Sequence, residues 1–457
     1  MNSDITSLRF GFLIYSMLCI LTFLEQAFGD NDTPLTLAQL VQMAIEVSPD
    51  LKIKQAQTNQ SHAEQAAARS RFMPTFETSY TFNRESHPSY IGKTLTDPDR
   101  DYTWAITLNQ PLYRPQLTQN LTLADLSLEQ AKLAYDLQTR TVTFNMLTAY
   151  YNLLKNRKQF EVAQKQVDQI TAHEEKARAF YAAGKIPLNE LLQAGVRLAN
   201  ARQTATVAEN HMALAEVSVN LLLRRPLELH VEVIEEMSLT PWVSCLNDCL
   251  SIAAPQRLEL KMAEVELGMA ETRLGLARYA YHPTVSLNGF YYKKGTQADL
   301  FDKQGITYPE GWEINASLEW TIWSGNRRSH HITASQAGVS QSRTKRDALM
   351  DSISYEVRQS YLNLMEANRN LAVMAEALGQ AEENLRLNQG RFDHDLATTT
   401  DVLDAQALLT ITHGRHVNAL YDHQIAIATL KQAMGLDILD TLTGQTPSST
   451  PPQGDGK

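Results

Sequence analysis

The chain is short of the residues that build loop-rich and disulfide-linked proteins. It contains 3 cysteines, 16 prolines and 20 glycines among 457 residues. So few turn-forming residues argue against an array of small domains, although the length alone would predict about three. The net charge of -10 shows no basic excess, so we expect no nucleic-acid partner.

Motifs of catalysis and of cofactor binding are also missing from the sequence. It has no P-loop, no dinucleotide-binding fingerprint and no Ser–His–Asp pattern in a suitable context. His330, His331 and His394 lack further ligands at metal-binding spacing, so we expect them at the surface. We therefore predict that the protein is not an enzyme and holds neither cofactor nor metal.

One long apolar run stands at the N-terminus, "GFLIYSMLCILTFL", preceded by Arg9 and followed by the small residues Ala27 and Gly29. This pattern predicts a cleaved export signal over residues 1–29. The run is short of the ~20 residues that a membrane helix needs, although an uncleaved anchor is the alternative.

Export would place Cys245 and Cys249 in an oxidising compartment that permits disulfides. Their spacing puts them one helical turn apart, close to disulfide range. Two interpretations stay open: a Cys245–Cys249 disulfide, or two half-buried thiols on one helix face.

The chain repeats itself. Four segments of the first half resemble four of the second, in the same order and roughly 210 residues apart. This predicts a first repeat over 30–235, a second over 236–440, and a tail over 441–457 with the composition of a disordered linker. The paired segments are "RFMPTFETSYTF" with "AYHPTVSLNGFYY", "ITLNQPLY" with "ASLEWTIW", "AYYNLL" with "SYLNLM", and "FYAAGKIPLNELL" with "RFDHDLATTTDVL".

Each repeat contains two runs in which apolar and polar residues alternate, at about 74–84, 102–112, 283–293 and 312–323. Period two predicts strands, and a run of about ten residues suits a tilted membrane strand. The alternative is a soluble sheet with one face on a core, but no segment reads as a covering layer. If the strands span a bilayer, several chains must share one barrel, because the smallest membrane barrels have about eight strands. Four tryptophans would form its aromatic girdle: Trp104, Trp312, Trp320 and Trp323.

The remaining sequence predicts long helices, with one further helix ahead of the strands in each repeat. Neither glycine nor proline occurs between Gln116 and Ala183. A helix of ~65 residues is ~100 Å long, so it must pack lengthwise on others. We predict helical hairpins over about 116–224 and 326–435, and an apolar four–three spacing over 357–385 predicts a coiled-coil seam.

These parts, in this order, resemble the TolC family of outer-membrane efflux proteins over about residues 34 to 440. The resemblance rests on the duplication, on the Pro–Thr strand openings at 74–75 and 283–284, and on "RFDHDLATTTDVLDAQ", "LLLRRPLE" and "LKQAMGLD". It implies an α+β membrane protein. Three identical chains would share a twelve-stranded β-barrel, with four strands from each chain, continued by an α-helical coiled-coil barrel.

The resemblance further implies a passive outer-membrane channel that extends into the periplasm. Its partners would be outer-membrane lipid, a periplasmic adaptor protein and an inner-membrane transporter. Drug efflux and type I secretion both remain open. The alternative is a periplasmic coiled-coil adaptor or scaffold without a barrel, which would not need four aromatic-rich strands.

Paired carboxylates follow the break in the second hairpin. Asp401 and Asp404 are three residues apart and share a helix face. The resemblance implies that this face lines the narrow end of the channel, with Glu190 at the equivalent position of the first repeat. Rings of acids favour cations and raise each other's proton affinity. Alternatively, one of Thr398, Thr399 or Thr400 caps the helix and Asp401 sits at its dipole.

The turns of the hairpins are candidate gate elements. Gly184 ends the first long helix, whereas Asp395 stands where the family often has glycine. Some relatives hold the closed tip with Tyr and Arg, and the matching Phe392 and Ala397 cannot make those polar links. Arg391 and Asp393 are the nearby residues that could hold a closed state instead.

Overall fold

The computed structural model describes residues 34–84, 89–91, 94–97, 100–235, 244–295, 297–300, 310–394 and 396–438. The predicted export signal and the tail over 441–457 lie outside these residues. Among the described residues, no helix combines the length and the apolarity required to cross a bilayer.

The two halves of the chain contain the same order of main elements: two shorter helices, two long strands, a very long helix and a helix of half that length. The first half also has two short strands in the loop between its long strands, which the sequence did not predict. The first half comprises α1 (Leu37–Val47), α2 (Pro49–Ser70), β1 (Thr75–Arg84), β2 (Ser89–Ile91), β3 (Thr94–Asp97), β4 (Arg100–Tyr113), α3 (Pro115–Ala182) and α4 (Leu188–Leu223). The second comprises α5 (Leu246–Gln256), α6 (Leu258–Tyr279), β5 (Thr284–Gly295), β6 (Glu310–Glu319), α7 (Arg327–Asp393) and α8 (Thr399–Ala433).

The four long strands form one antiparallel sheet in the order β1-β4-β5-β6. Its register places apolar side chains on one face, for example Phe76 opposite Leu108 and Tyr291 opposite Trp312. The other face is mostly polar, with Phe290 and Tyr292 as exceptions, and carries a row in which Asn109 donates to Asn288 at 2.6 Å and Asn288 donates to Asn315 at 3.1 Å. No described element covers the apolar face, on which Trp312 and Ile314 are 74% and 65% exposed.

The fourth strand is shorter than the sequence predicted. Its pairing with β5 ends at Thr284 and Glu319, so Trp320 and Trp323 lie beyond the strand rather than within it. Pro283, which has no N–H to donate, precedes β5 and stops the ladder there. The predicted strand, 312–323, therefore begins and ends later than the observed strand, Glu310–Glu319.

The long helices pack lengthwise. α3 has 68 residues and α7 has 67, about 100 Å each. Each is folded back on its shorter partner, α4 or α8, while the halves nearest the sheet pack against α2 and α6. The largest core joins α1, α3, α4 and α8, with Tyr150 and Tyr421 fully buried at its centre.

The predicted seam on α7 is buried at Val357, Leu364 and Leu385, whereas Ala375 is exposed. Cys249 is buried in a second core, and Cys245 is exposed just before α5. No disulfide joins the two cysteines in this structure, in which Cys249 is buried and Cys245 is exposed. The disulfide interpretation is therefore wrong for this structure, and the thiols are not both half-buried.

Candidate functional site

The candidate site is the tip at which both helical hairpins turn. The first turn follows α3, where Gly184 adopts φ +69°, a conformation that glycine accepts without a steric penalty. Gly184 donates to Tyr181 O and Lys185 donates to Phe180 O, both at 2.9 Å. This pair of bonds is the Schellman motif, which satisfies the last carbonyls of a helix.

The second turn has the counterpart of the Lys185–Phe180 hydrogen bond, although no glycine stands in this turn. Leu396 N–H donates to Arg391 O at 2.8 Å, and the Arg391 side chain donates to Leu396 O at 3.2 Å. Arg391, predicted as a gate residue, thus binds its own turn in the single chain. Asp395 and the side chain of Asp393 lie outside the described residues.

Asp401 is held in a capping box at the start of α8. The Thr398 backbone N–H donates to Asp401 Oδ2 at 2.8 Å, and the Asp401 N–H donates to Thr398 Oγ1 at 3.2 Å. The Thr398 hydroxyl donates to the same carboxylate at 2.8 Å. These hydrogen bonds, together with the charge of Arg391, lower the pKa of Asp401. Within one chain the shift is opposite to the rise that crowded carboxylates would cause.

Asp404 is engaged differently. Arg197 on α4 donates from Nη2 to Asp404 Oδ1 at 2.7 Å, which joins the two hairpins. The sequence did not predict this partner. Arg197 lies seven residues after Glu190, so a helical period would place both on one face of α4, but nothing in the sequence indicates which acid Arg197 meets.

Glu190 occupies the third position of α4, as Asp401 does in α8. Its backbone N–H donates to Pro187 O at 3.2 Å. Proline replaces the capping threonine, and no side chain caps this helix. The three predicted acids therefore share the tip but differ in their bonds: Asp401 caps a helix, Asp404 pairs with arginine, and Glu190 makes neither interaction among the described residues.

A pocket of about 370 Å³ lies behind the acids, between α3, α7 and α8. His173 contacts the predicted gate residue Phe392 there, with ring centroids 6.3 Å apart, and the Lys176 ammonium lies 5.0 Å from the same ring. Burial lowers the pKa of His173; hydrogen bonding to the backbone of His173 and Thr399 opposes this shift in part, and the charges of Lys176 and Arg197 add to it. Its Nε2 has no hydrogen-bond partner among the described residues. His173 could not be predicted as a site residue, because a lone histidine on a helix carries no signal.

The predicted girdle tryptophans lie towards opposite ends of the sheet. Trp104 donates to Thr78 Oγ1 at 3.0 Å and lies with Trp312 towards the loop end. Trp320 donates to Tyr281 O at 3.0 Å, at the helix end with Trp323. Trp320 lies eight positions after Trp312, which is ~26 Å along an extended chain and about 20 Å along the axis of a barrel whose strands tilt by ~40°.

The described residues contain no group of three or more His, Cys, Asp or Glu arranged to hold a metal ion.

Comparison with known proteins decides the family. The family model described as "Outer membrane efflux protein" matches residues 40–223 and 249–436. The chain belongs to this family. It is 20% identical over 433 residues to the outer membrane protein TolC of Vibrio cholerae, covering 92% of this chain and 97% of TolC.

Solved structures share the fold of this outer membrane efflux protein. The Campylobacter jejuni CmeC outer membrane channel superposes with a TM-score of 0.77 at 15% identity, covering 91% of this chain and 87% of CmeC. The open state of the Neisseria gonorrhoeae MtrE outer membrane channel gives 0.72 at 16% identity, covering 88% and 89%. The predicted architecture of a four-stranded sheet with long helical hairpins is confirmed for the single chain. The protein is an outer-membrane efflux channel and not an enzyme, so the scaffold interpretation has no support.

Proposed function

We propose that three copies of the chain form one conduit, with a shared β-barrel in the outer membrane and a helical tube in the periplasm. The observation that supports this proposal most is the sheet, which has an exposed apolar face and two unpaired edges, β1 and β6. Unpaired edges of ten residues each expose a row of backbone groups. In a bilayer these groups require partners, which a neighbouring chain supplies.

Barrel geometry sets a lower limit on the number of chains, and the trimer is the assembly that the family resemblance implies. Four strands cannot close, and about eight strands leave an interior that side chains fill. Three chains of four strands give a wider barrel with a conducting lumen. The polar face, with its row of asparagines, would line that lumen, while Phe76, Trp312 and Ile314 would meet lipid.

The helices also require neighbours. Leu192 and Val196 on α4, one turn apart, are 60% and 61% exposed in the single chain. Leu362 and Val373 on α7 are similarly exposed. Large apolar side chains along a periplasmic tube are covered when chains assemble side by side.

A disulfide between the edge strands tests the assembly. Within one chain, β1 and β6 are three strand spacings apart, ~14 Å, whereas a disulfide needs Cα atoms within ~7 Å. On a Cys245→Ser background, Ser79→Cys would be combined in turn with Glu313→Cys, Asn315→Cys and Ser317→Cys, which share its polar face.

At least one pair is expected to give covalent dimers and trimers in outer-membrane fractions, and proteins that carry only one of the two introduced cysteines should give none. If the cross-linked products stop at dimers, or if no pair cross-links in correctly localised protein, the proposal of a shared barrel is wrong. Planar-bilayer recordings of the purified protein should then show whether it still conducts.

We further propose that the tip meets a periplasmic adaptor and, through it, an inner-membrane transporter. Leu396 is 69% exposed at the second turn. A photo-cross-linking residue at position 396 should capture a periplasmic protein with an inner-membrane anchor, identified by mass spectrometry. The same probe at Tyr355, equally exposed but midway along α7, is the matched control. Equal capture of that protein at both positions would contradict docking at the tip.

A further inference from the structure

A cavity of about 650 Å³ lies where the sheet meets the helices. The junction between a strand and a long helix comes to this place from both halves of the chain. Arg114 follows β4 and precedes α3, while Arg327 and Arg328 begin α7 shortly after β6. The volume falls within the range of sites that bind small organic molecules. The cavity is called the junction cavity below.

Positive charge dominates its wall. Arg114, Arg273, Arg327 and Arg328 line it together with two histidines, His282 and His331, against the single carboxylate of Glu319. None of the four arginines forms an ion pair with a described residue within 4.0 Å. Arg328 lies 5.2 Å from the Tyr281 ring, a contact that holds its guanidinium without neutralising it.

Two helix N-termini add to this positive field. α3 and α7 both begin at the junction cavity, and neither first turn receives a hydrogen bond from the side chain of its N-cap residue. The positive end of the dipole of a helix start that no side chain caps favours anions. Four guanidinium groups that share a wall with a single carboxylate repel one another, and an anion would relieve that repulsion.

The polar face of the sheet indicates where the junction cavity opens. Thr284 and Glu319 line it and pair with each other in the register that carries Ser286–Ser317 and Asn288–Asn315. These residues form the polar face, opposite the apolar one. In the proposed trimeric barrel this face is the lumen, so the position of the cavity inside the conduit rests on the proposed function.

We infer that the junction cavity binds phosphate- or carboxylate-bearing anions and so forms an anion-binding site between the helical tube and the barrel. Arginine suits such groups because its planar fork binds two oxygens at once. The tip acids do not contradict this role, because Asp404 already pairs with Arg197 and Asp401 caps its helix. A cargo carrying an anionic group would then be held at the barrel entrance.

Block of single-channel current by inorganic pyrophosphate tests the inference. Pyrophosphate added on the periplasmic side should reduce the potassium chloride current of the wild-type protein. The double variant Arg273→Gln/Arg327→Gln should need about tenfold more pyrophosphate or higher for half block. Wild-type block should also weaken as ionic strength rises. Arg278→Gln, which removes an exposed arginine of α6 outside the cavity wall, should leave the block unchanged.

Equal half-block concentrations in the wild type and the double variant would overturn the inference, as would no block of the wild type at about 10 mM, far above the affinity expected of several arginines acting together. Calorimetric titration of the detergent-solubilised protein with pyrophosphate measures binding without requiring a pore. Binding without conduction would contradict the proposed channel but keep the cavity. Should the double variant fold poorly, Arg327→Gln alone serves the same comparison.

A lipid headgroup is the competing source of phosphate. Bilayers of phosphatidylcholine, with and without phosphatidylglycerol, separate the two sources. A lumenal site predicts the same pyrophosphate block in both bilayers. Loss of the block when the anionic lipid is added would show that the cavity opens to the membrane, which contradicts its assignment to the conduit.

Discussion

Arg197 on α4 and Asp404 on α8 are joined by a 2.7 Å hydrogen bond between Nη2 and Oδ1, which connects the two hairpins beside their turns. The Asp404 side chain nevertheless stays 66% exposed and the arginine 31% exposed. An ion pair this accessible to water contributes only ~0.2–1 kcal/mol to stability. Its larger effect is on the electrostatic potential at the tip, where the positive charge of the arginine partly cancels the negative charge of the carboxylate.

Changing either partner is expected to move ion selectivity in opposite directions. Arg197→Gln leaves the Asp404 carboxylate without its counter-charge, so the preference for cations should rise. Asp404→Asn should lower it. Reversal potentials across a potassium chloride gradient measure both. The matched control is Arg202→Gln, another exposed arginine of α4. An unchanged or reduced cation preference in Arg197→Gln would show that Asp404 does not face the ion path.

The capping box predicts a local loss of protection when Thr398 is changed. Thr398→Ala removes the hydroxyl that accepts from Asp401 N–H and donates to its carboxylate. Amide hydrogen exchange in the first turn of α8 should become about fivefold faster, the usual effect of losing such a cap. Thr398→Ser should restore the wild-type rate. Equal exchange in all three proteins would mean that tip packing alone holds this turn.

The lowered pKa of Asp401 also determines the pH below which Asp401 no longer stabilises the first turn of α8. A carboxyl whose folded pKa is depressed stabilises the protein above its unfolded value, and this is lost as the pH falls through the folded value. With an ordinary value of 3.8, the capping box should persist from pH 7 to about pH 4. Exchange in the first turn of α8, corrected for intrinsic rates, should show no step due to Asp401 across that range. A step near pH 6 that vanishes in Asp401→Asn would reveal crowding between chains.

The elements could be predicted because their patterns are local and long. Alternation over ten residues indicates a strand whatever lies beside it, and the absence of glycine and proline after Gln116 permits one continuous helix. The end of the fourth strand was misplaced because it depends on a partner. Residues 320–323 keep the alternation, but β5 offers no backbone groups beyond Thr284.

The bonds at the tip could not be predicted for a related reason. The sequence offered a threonine cap with Asp401 at the helix dipole as an alternative, but it did not indicate which threonine caps or that Asp401 bonds back to Thr398. Arg197 and Asp404 are 207 residues apart and meet only because the hairpins pack together. Likewise, His173 and Phe392 come together from different helices, and neither carries a local motif.

The two faces of the sheet predict unequal tolerance of charge. Ile314→Lys places an ammonium on the exposed apolar face, and Asn315→Lys places the same group on the opposite face one residue later. A lysine towards lipid at the middle of a barrel costs ~2–4 kcal/mol, whereas a lumenal one is solvated. Ile314→Lys should reduce the amount of assembled protein in outer-membrane fractions, and Asn315→Lys should not.

The same pair also separates folding from conduction. Asn315→Lys is expected to lower the conductance of cations in planar bilayers, because it adds a positive charge to the lumen. If Asn315→Lys impairs assembly while Ile314→Lys does not, the two faces have been assigned the wrong way round.

His173 predicts that acid weakens the packing at the tip. A histidine whose folded pKa lies below its unfolded value binds more protons when unfolded, so stability falls as the pH drops below the ordinary value of 6.5. Lys176 and Arg197 oppose the protonated form further. Hydrogen exchange around Phe392 and the start of α8 should therefore quicken between pH 7 and about 5.5, after correction for intrinsic rates. His173→Phe should remove this dependence, while His211→Phe, at an exposed position of α4, should preserve it. An identical pH dependence in His173→Phe would assign the acid response to another group.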